Sequence, residues 1–464
     1  MAGIGFALKK LSQSDNLSGR TLAGAHAIMV TSGPWIVIMA GLALVSFLGV
    51  PVVGQEATVT FRILLIYNFA IALVITAPIS LEVTLRISSL MFERRFTEVQ
   101  AVYFAALIIT TGISAVAGSV IFFALLKLPT GVALAAVFCT IQVSLMWISM
   151  SMITAIRQYT VVSFAFAIGL SIGVTLSITL ASIGYGVAGL LAGFGCGLCV
   201  AFTILNSLII QTFPGRLIPL SVLLRQMLTL RSQSKVFLLA GVASAIAVWI
   251  DKVVVWQSSE AIVLAEGVLH APRYDVPMFI AFLSIIPMIS VITMWLDTVF
   301  FTSYRLYCNI VCSGGTLRQI DAHRERLAKE TTRKISAAFI LQVTVSVLLA
   351  ILSPLLIRML GLPVEALHVL RLALIGAAFH FLFLACCGVI LFVRYEKMYL
   401  NLQMAFVLAN GGLTAIFLVN PNLLGLGYVS ATAICAVIAY AALLRTMGML
   451  NQLTFIDNNP SIYK

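Results

Sequence analysis

Residues 317–334 read LRQIDAHRERLAKETTRK, residues 335–358 read ISAAFILQVTVSVLLAILSPLLIR, and the change between Lys334 and Ile335 decides the fold. A helix rises about 1.5 Å per residue, so roughly 20 apolar residues cross a hydrocarbon core about 30 Å thick. The second stretch meets that length, and its apolar run is continuous rather than alternating, which excludes a β-barrel strand. The charged stretch before it belongs in water or among lipid headgroups. Eleven more runs of this kind occur, at 21–48, 58–81, 101–126, 131–156, 160–181, 185–211, 235–257, 276–302, 364–393, 398–419 and 424–447. Composition agrees, with 61% hydrophobic and 9% charged residues and a mean hydropathy of +1.10. A water-soluble chain could not bury so much apolar surface. The expected fold class is an all-α polytopic membrane protein of about twelve transmembrane helices.

Basic residues set the orientation. With the N-terminus inside, the cytoplasmic segments hold nearly all of them, from Lys9, Lys10 and Arg20 through Arg86, Arg94, Arg95, Arg216, Arg225 and Arg231 to the 303–334 loop, Arg394, Lys397 and Arg445. The opposite loops hold Lys127 and Arg273. Both termini are therefore expected in the cytoplasm. The first apolar run is too long for a cleavable signal segment.

The net charge of +12 is spread over these loops, where anionic membrane lipid attracts it. It is not the focused patch of a nucleic-acid binder, so no nucleic-acid partner is expected. No GxSxG, HExxH or P-loop occurs, and no extramembrane segment is large enough for a catalytic domain, so neither an enzyme nor a cofactor is expected. The CxxC at Cys196 and Cys199 lies in a Gly-rich apolar span, and Cys386–Cys387 lie in another. These read as small packing residues, and no metal site is expected.

Along the chain, residues 1–20 read as an amphipathic helix on the inner surface, with Ile4, Phe6, Ala7 and Leu11 beside Lys9 and Lys10. Residues 21–211 make an N-terminal six-span lobe, 212–234 an interfacial linker, 235–450 a C-terminal six-span lobe and 451–464 a cytoplasmic tail. An even split of this kind is the mark of two parallel repeats. Pro78 and Pro287, each followed six residues later by Thr84 and Thr293, give thin support for it. In the 303–334 loop, Leu317, Ile320, Arg324 and Leu327 share one helical face and are candidates for docking a cytoplasmic partner.

Ionisable groups inside spans cost several kcal/mol unless paired or wet, so each is a functional candidate. Arg62 opens the second span, Asp251 and Lys252 end the seventh, and Arg371 lies about two turns into the tenth, all near the outer face. These four are expected to line a substrate cavity. Glu82 and Arg86, at i and i+4, and Asp297 stand near the inner face and are candidates for an inner gate. His380, deeper in the tenth span, reads as a hydrogen-bonded core residue.

The opening MAGIGFALKKL, the Ser32-Gly33-Pro34-Trp35 run and the span count resemble the PelG-like family of Pel exopolysaccharide transporters. That family lies within the multidrug/oligosaccharidyl-lipid/polysaccharide flippase superfamily. Asp251-Lys252-Val253-Val254-Val255 is similar to an acidic-basic-aliphatic run in many of its flippases. The resemblance implies two six-helix lobes around a central cavity. It implies passage of a growing, N-acetylgalactosamine-containing polysaccharide across a bacterial inner membrane to the periplasm, for a biofilm matrix. It also implies a cytosolic UDP-sugar glycosyltransferase and cyclic di-GMP-sensing membrane partners. Other branches use ion-binding acids in the N-terminal lobe, whereas Glu82, near the inner surface, is the only carboxylate assigned to spans one to six here, so ion coupling in that lobe is not expected. Three alternatives stay open: a lipid-linked oligosaccharide flippase, a non-conducting scaffold for a glycosyltransferase, and a drug or cation antiporter.

Overall fold

A computed structural model describes residues 38–457, apart from 39, 157–158, 214, 216–231, 265–266 and 361. The expected interfacial helix over 1–20, most of the first span and most of the 212–234 linker lie outside the described residues. Those described are almost wholly helical, and ten segments are long and apolar enough to cross a membrane. One of them, Val161–Thr212, holds two of the expected spans, and the shorter apolar helix α1 (Ala40–Val53) is the described part of the first.

Two compact units emerge. One contains the described residues up to Ile246 together with Ile262–His270, and the other contains Ala247–Ala261 and the described residues from Ala271 onward. The first comprises α1, α2 (Gln55–Phe92), α3 (Val99–Ser119), α4 (Thr130–Ile156), α5 (Tyr159–Leu180), α6 (Gly186–Thr212) and the first part of α7 (Ser232–Trp256). A small antiparallel hairpin, β1 (Ile262–Val263) with β2 (Leu269–His270), also belongs to it, pairing Ile262 with His270. Its register is held by Tyr67, whose hydroxyl donates to the Leu269 carbonyl at 3.2 Å, and by fully buried Val268.

Between membrane helices the hydrophobic effect gives little drive, because lipid tails are as apolar as leucine; close approach and polar ties do the work. Gly184 at φ 107° and Gly186 at φ 51° reverse the chain after α5, so α6 packs back along it. Glycines line that contact. A Cβ on Gly193 would overlap the Ser177 backbone, and one on Gly169 would stand 2.5 Å from the Gly197 carbonyl oxygen. Ser177 then donates to the Leu190 carbonyl at 2.9 Å. Elsewhere in this unit Thr140 donates to Asn68 at 2.7 Å, Ser114 to Ser144 at 2.9 Å, and Tyr103 and Ser149 share a 2.9 Å bond.

The two units divide within α7, between Ile246 and Ala247. Its early part packs on α2, where a Cβ on Gly241 would lie 2.7 Å from the Cα of Pro78. Glycine facing the proline bend brings the two backbones into contact, so the helix stays with the first unit until Ile246.

The second unit contains the end of α7, α8 (Asp275–Trp295), α9 (Phe301–Cys312), α10 (Leu317–Met359), α11 (Ala366–Phe392), α12 (Glu396–Phe417) and α13 (Leu426–Gly448). The charged and apolar stretches on either side of Lys334 form one 43-residue helix, α10. Its start is fixed by a capping box in which Thr316 accepts from Gln319 N–H and Gln319 returns the bond. Gly376 and Gly427 again allow close contact, with a Cβ on Gly376 falling 2.6 Å from the Tyr428 ring.

Replacing Gly193 by leucine should force α5 and α6 apart. Overpacking of this kind costs about 1–3 kcal/mol, more where backbone must move. The expected result is a lower thermal midpoint and lower yield of monodisperse detergent-extracted protein. Gly112→Leu, where a Cβ meets open space, should leave both nearly unchanged.

Candidate functional site

Asp251 has no exposed surface and Lys252 is 6% exposed, on the last turns of α7. Neighbouring helical residues diverge by about 100°, so their side chains meet only if one bends back. Lys252 does so: its Nζ donates to the Val248 carbonyl at 3.1 Å and to Asp251 at 3.2 and 3.3 Å. The ammonium also lies 4.6 Å from the Phe282 ring centre and 5.4 Å from that of Trp249, where the ring faces attract a cation. Asp251 accepts a further bond from the Tyr274 hydroxyl at 2.8 Å and a long one from Asn410 at 3.4 Å. Asn410 donates as well to the Ala247 carbonyl at 2.9 Å.

His380 adjoins this network through Phe282, whose ring meets the imidazole edge-on at 5.4 Å. Its Nδ1 shares a 3.0 Å bond with the Tyr428 hydroxyl, as a hydrogen-bonded core residue does. Its Nε2 and Asn410 Oδ1 are buried without a partner among the described residues. Just outside, Asp275 in the first turn of α8 accepts from Trp256 Nε1 at 3.1 Å and from the Ala271 N–H at 2.9 Å.

The four residues expected in one cavity therefore divide. Asp251 and Lys252 are sealed inside the second unit, against the expectation that they face water, because Tyr274, Asn410 and two aromatic rings satisfy them from within. Arg371 is exposed on α11, where its Nε donates to the Ser353 hydroxyl of α10 at 3.2 Å. Arg62 is exposed on α2 of the first unit and has no ion-pair partner among the described residues. Of the inner group, Arg86 Nε donates to the buried Glu82 carboxylate in the first unit, while half-buried Asp297 belongs to the second.

The expected docking face is corrected by burial. Ile320 and Leu327 are 5% and 3% exposed, and Arg324 donates to the Gly448 carbonyl at 3.0 Å. Leu317 alone of the four is open to solvent. The apolar side of the helix is covered by the chain itself.

Tyr274, Asn410 and Tyr428 are residues that reasoning from charge misses. Asn410, a lone amide in an apolar span, carries a signal of its own, since an amide in hydrocarbon needs partners; the tyrosines carry none.

Removing one partner of a buried pair costs about 3–5 kcal/mol, whereas replacing both by apolar groups is often neutral. Asp251→Asn should therefore lower the thermal midpoint and membrane abundance, because the ammonium stays buried. Asp251→Asn combined with Lys252→Met should recover most of the loss. Detergent-extracted protein followed by size exclusion and thermal unfolding checks both; a double variant no better than the single one would contradict this account.

Solved structures similar to the chain are membrane transporters. It matches an outward-facing multidrug resistance MATE family transporter of the MOP superfamily at a TM-score of 0.62, with 14% identity, covering 97% of this chain and 99% of that one. A MATE in the bent conformation gives 0.61 and 14% identity over 92% and 96%. A MOP superfamily transporter from Pyrococcus furiosus, described by the reverse polarity of its binding pocket, gives 0.56 and 14% over 97% of each. At such identity the likeness establishes the fold, an α-helical transporter fold. No curated protein matches the chain. The model of the PelG family, exopolysaccharide exporter (EPS-E), matches residues 1–455, and the chain belongs to that family.

Proposed function

We propose that this protein moves a growing Pel-type, N-acetylgalactosamine-containing polysaccharide from cytoplasm to periplasm across a bacterial inner membrane, with both termini cytoplasmic, for a biofilm matrix. A cytosolic UDP-sugar glycosyltransferase supplies the polymer, and cyclic di-GMP-sensing membrane partners accompany it. One observation carries the reading beyond membership of the exporter family: Arg62 and Arg371 are exposed guanidiniums in apolar membrane helices, and neither has a carboxylate partner among the described residues. An exposed cation at such a position must find water or a polar ligand. The guanidinium offers five N–H donors and a flat face, which suits hydroxyl-rich rings. The sealed Asp251–Lys252 pair, in contrast, holds its helices in place and does not touch the polymer. Glu82, Arg86 and Asp297 are proposed as an inner gate.

Polymer secretion per unit of membrane-inserted protein tests this. Arg62→Ala and Arg371→Ala should each lower it several-fold, about 1 kcal/mol of lost interaction, and the double variant should lower it further. A lipid-linked oligosaccharide flippase predicts instead near-complete loss from either single change, because a pyrophosphate needs a tight cationic site. A non-conducting scaffold predicts unchanged secretion from all three variants, which would overturn the proposal.

A further inference from the structure

The burial that removes one face of α10 from docking leaves the opposite face bare. Ile320, Leu327, Thr331 and Ile335 are buried on one side. Arg324, paired with Asp321 at 3.3 Å, reaches the Gly448 carbonyl. Asn451 donates to Asp321 at 2.8 Å, and Tyr307 donates to Asn451 at 2.8 Å. The charged end of α10 is thereby fixed to α9, to the end of α13 and to the segment after it.

On the far side Arg318, Arg326, Lys329 and Arg333 are all exposed. At about 100° per residue they fall within an arc of about 80°, and at 1.5 Å per residue they extend over about 22 Å. None forms an ion pair among the described residues. Glu325, the acid just beyond the Arg318 edge of that arc, leans to Arg324 at 3.8 Å. Cations three and four positions apart repel and destabilise a helix by a few tenths of a kcal/mol each. Here they are held in line by the packing behind them.

We propose that this basic face is a docking surface for an acidic protein in the cytoplasm, a partner that presents a strip of carboxylates about 20 Å long. The inference rests on the cytoplasmic orientation and partner class of the proposed function. Geometry argues against lipid as the occupant. Headgroups occupy about 5–7 Å beyond the hydrocarbon, and charge is screened within about 8 Å at physiological salt. Arg333 adjoins the apolar run and can reach them. Arg318 lies seventeen residues before Ile335, about 25 Å along the helix and still about 19 Å out at a 40° tilt. A small anion would need a concave cluster, whereas this row is straight. For nucleic acid the stripe offers no aromatic to stack on.

The test uses the full chain in neutral phosphatidylcholine nanodiscs and a fluorescent glutamate-rich helical peptide as probe, read by anisotropy at low and physiological salt. The wild type should bind it, and Arg318→Glu with Arg326→Glu should weaken binding about tenfold or more. Arg94→Glu with Lys397→Glu, the same change in net charge at other exposed basic positions, should change it little. Equal binding by all three proteins, or tighter binding of a 20-base-pair RNA duplex than of the peptide at the same salt, would overturn the proposal. Vesicles rich in phosphatidylglycerol, added as competitor at physiological salt, should leave the peptide bound to the wild type; displacement of the peptide by them would assign the face to lipid and overturn the proposal as well. Secretion in cells separates this reading from the one beneath it. If Arg62→Ala lowers export and the Arg318→Glu/Arg326→Glu variant exports normally, the docking proposal fails alone. If Arg62→Ala, Arg371→Ala and their double variant all export normally, the transport reading fails.

Discussion

An ionised side chain inside a membrane protein is stable only where its neighbours replace the water it has lost, and the buried Asp251 carboxylate sets that condition for the second unit. Its partners come from three places in the chain: Lys252 beside it on α7, Tyr274 at the entrance to α8, and Asn410 on α12. None of these helices can rotate or slide without breaking a bond to the carboxylate. The aromatic side of Lys252 adds Phe282 on α8, which in turn packs on His380 of α11 and Tyr428 of α13. One charge pair thus organises five helices. The first unit reaches the same end without buried opposite charges in its middle, through glycine contacts and hydroxyl or amide bonds.

This explains how charges of similar appearance in the sequence take different roles. Asp251 and Lys252 have polar and aromatic partners on every side and withdraw from solvent. Arg371 has one neutral hydroxyl, Ser353, which lies beside Pro354 in α10 and itself donates to the Ala350 carbonyl at 2.7 Å. A hydroxyl cannot neutralise a guanidinium, so the group stays open to water. Arg62 has still less to hold it. Burial follows the supply of partners, not depth along a helix.

Hydropathy made the spans legible because crossing a bilayer demands length and continuity, and those are properties of a single run of residues. The reversal between α5 and α6 was legible only as the break between the runs 160–181 and 185–211; that Gly184 and Gly186 make it is seen in the backbone. What is set by contacts far apart in sequence was not legible. The arc of Leu317, Ile320, Arg324 and Leu327 is correctly helical, yet nothing local tells whether an apolar face is covered by another protein or by the chain's own later segments. The end of α13 and Asn451 cover it, more than a hundred residues downstream. The same holds for the Asp251 network, whose neutral members Tyr274 and Asn410 are ordinary residues until packing brings them to a carboxylate. The close approach of Gly241 to Pro78 is likewise visible only in the packing.

The nature of the Asp251 partner also bears on what could drive transport. A coupling carboxylate must exchange its counter-ion, taking up a proton or metal cation on one side and releasing it on the other. The counter-ion of Asp251 is an ammonium on the adjacent residue, which cannot leave. For a mobile cation to take its place, Lys252 would have to move away from the carboxylate, from the Val248 carbonyl and from two ring faces. It would then have to find equal compensation elsewhere in an apolar interior, and a separation of that kind costs several kcal/mol. Glu82 is similarly engaged by Arg86. Carboxylates with resident cationic partners serve as anchors of structure. At Asp251 and Glu82 the resident cation therefore occupies the place that a mobile coupling ion would need.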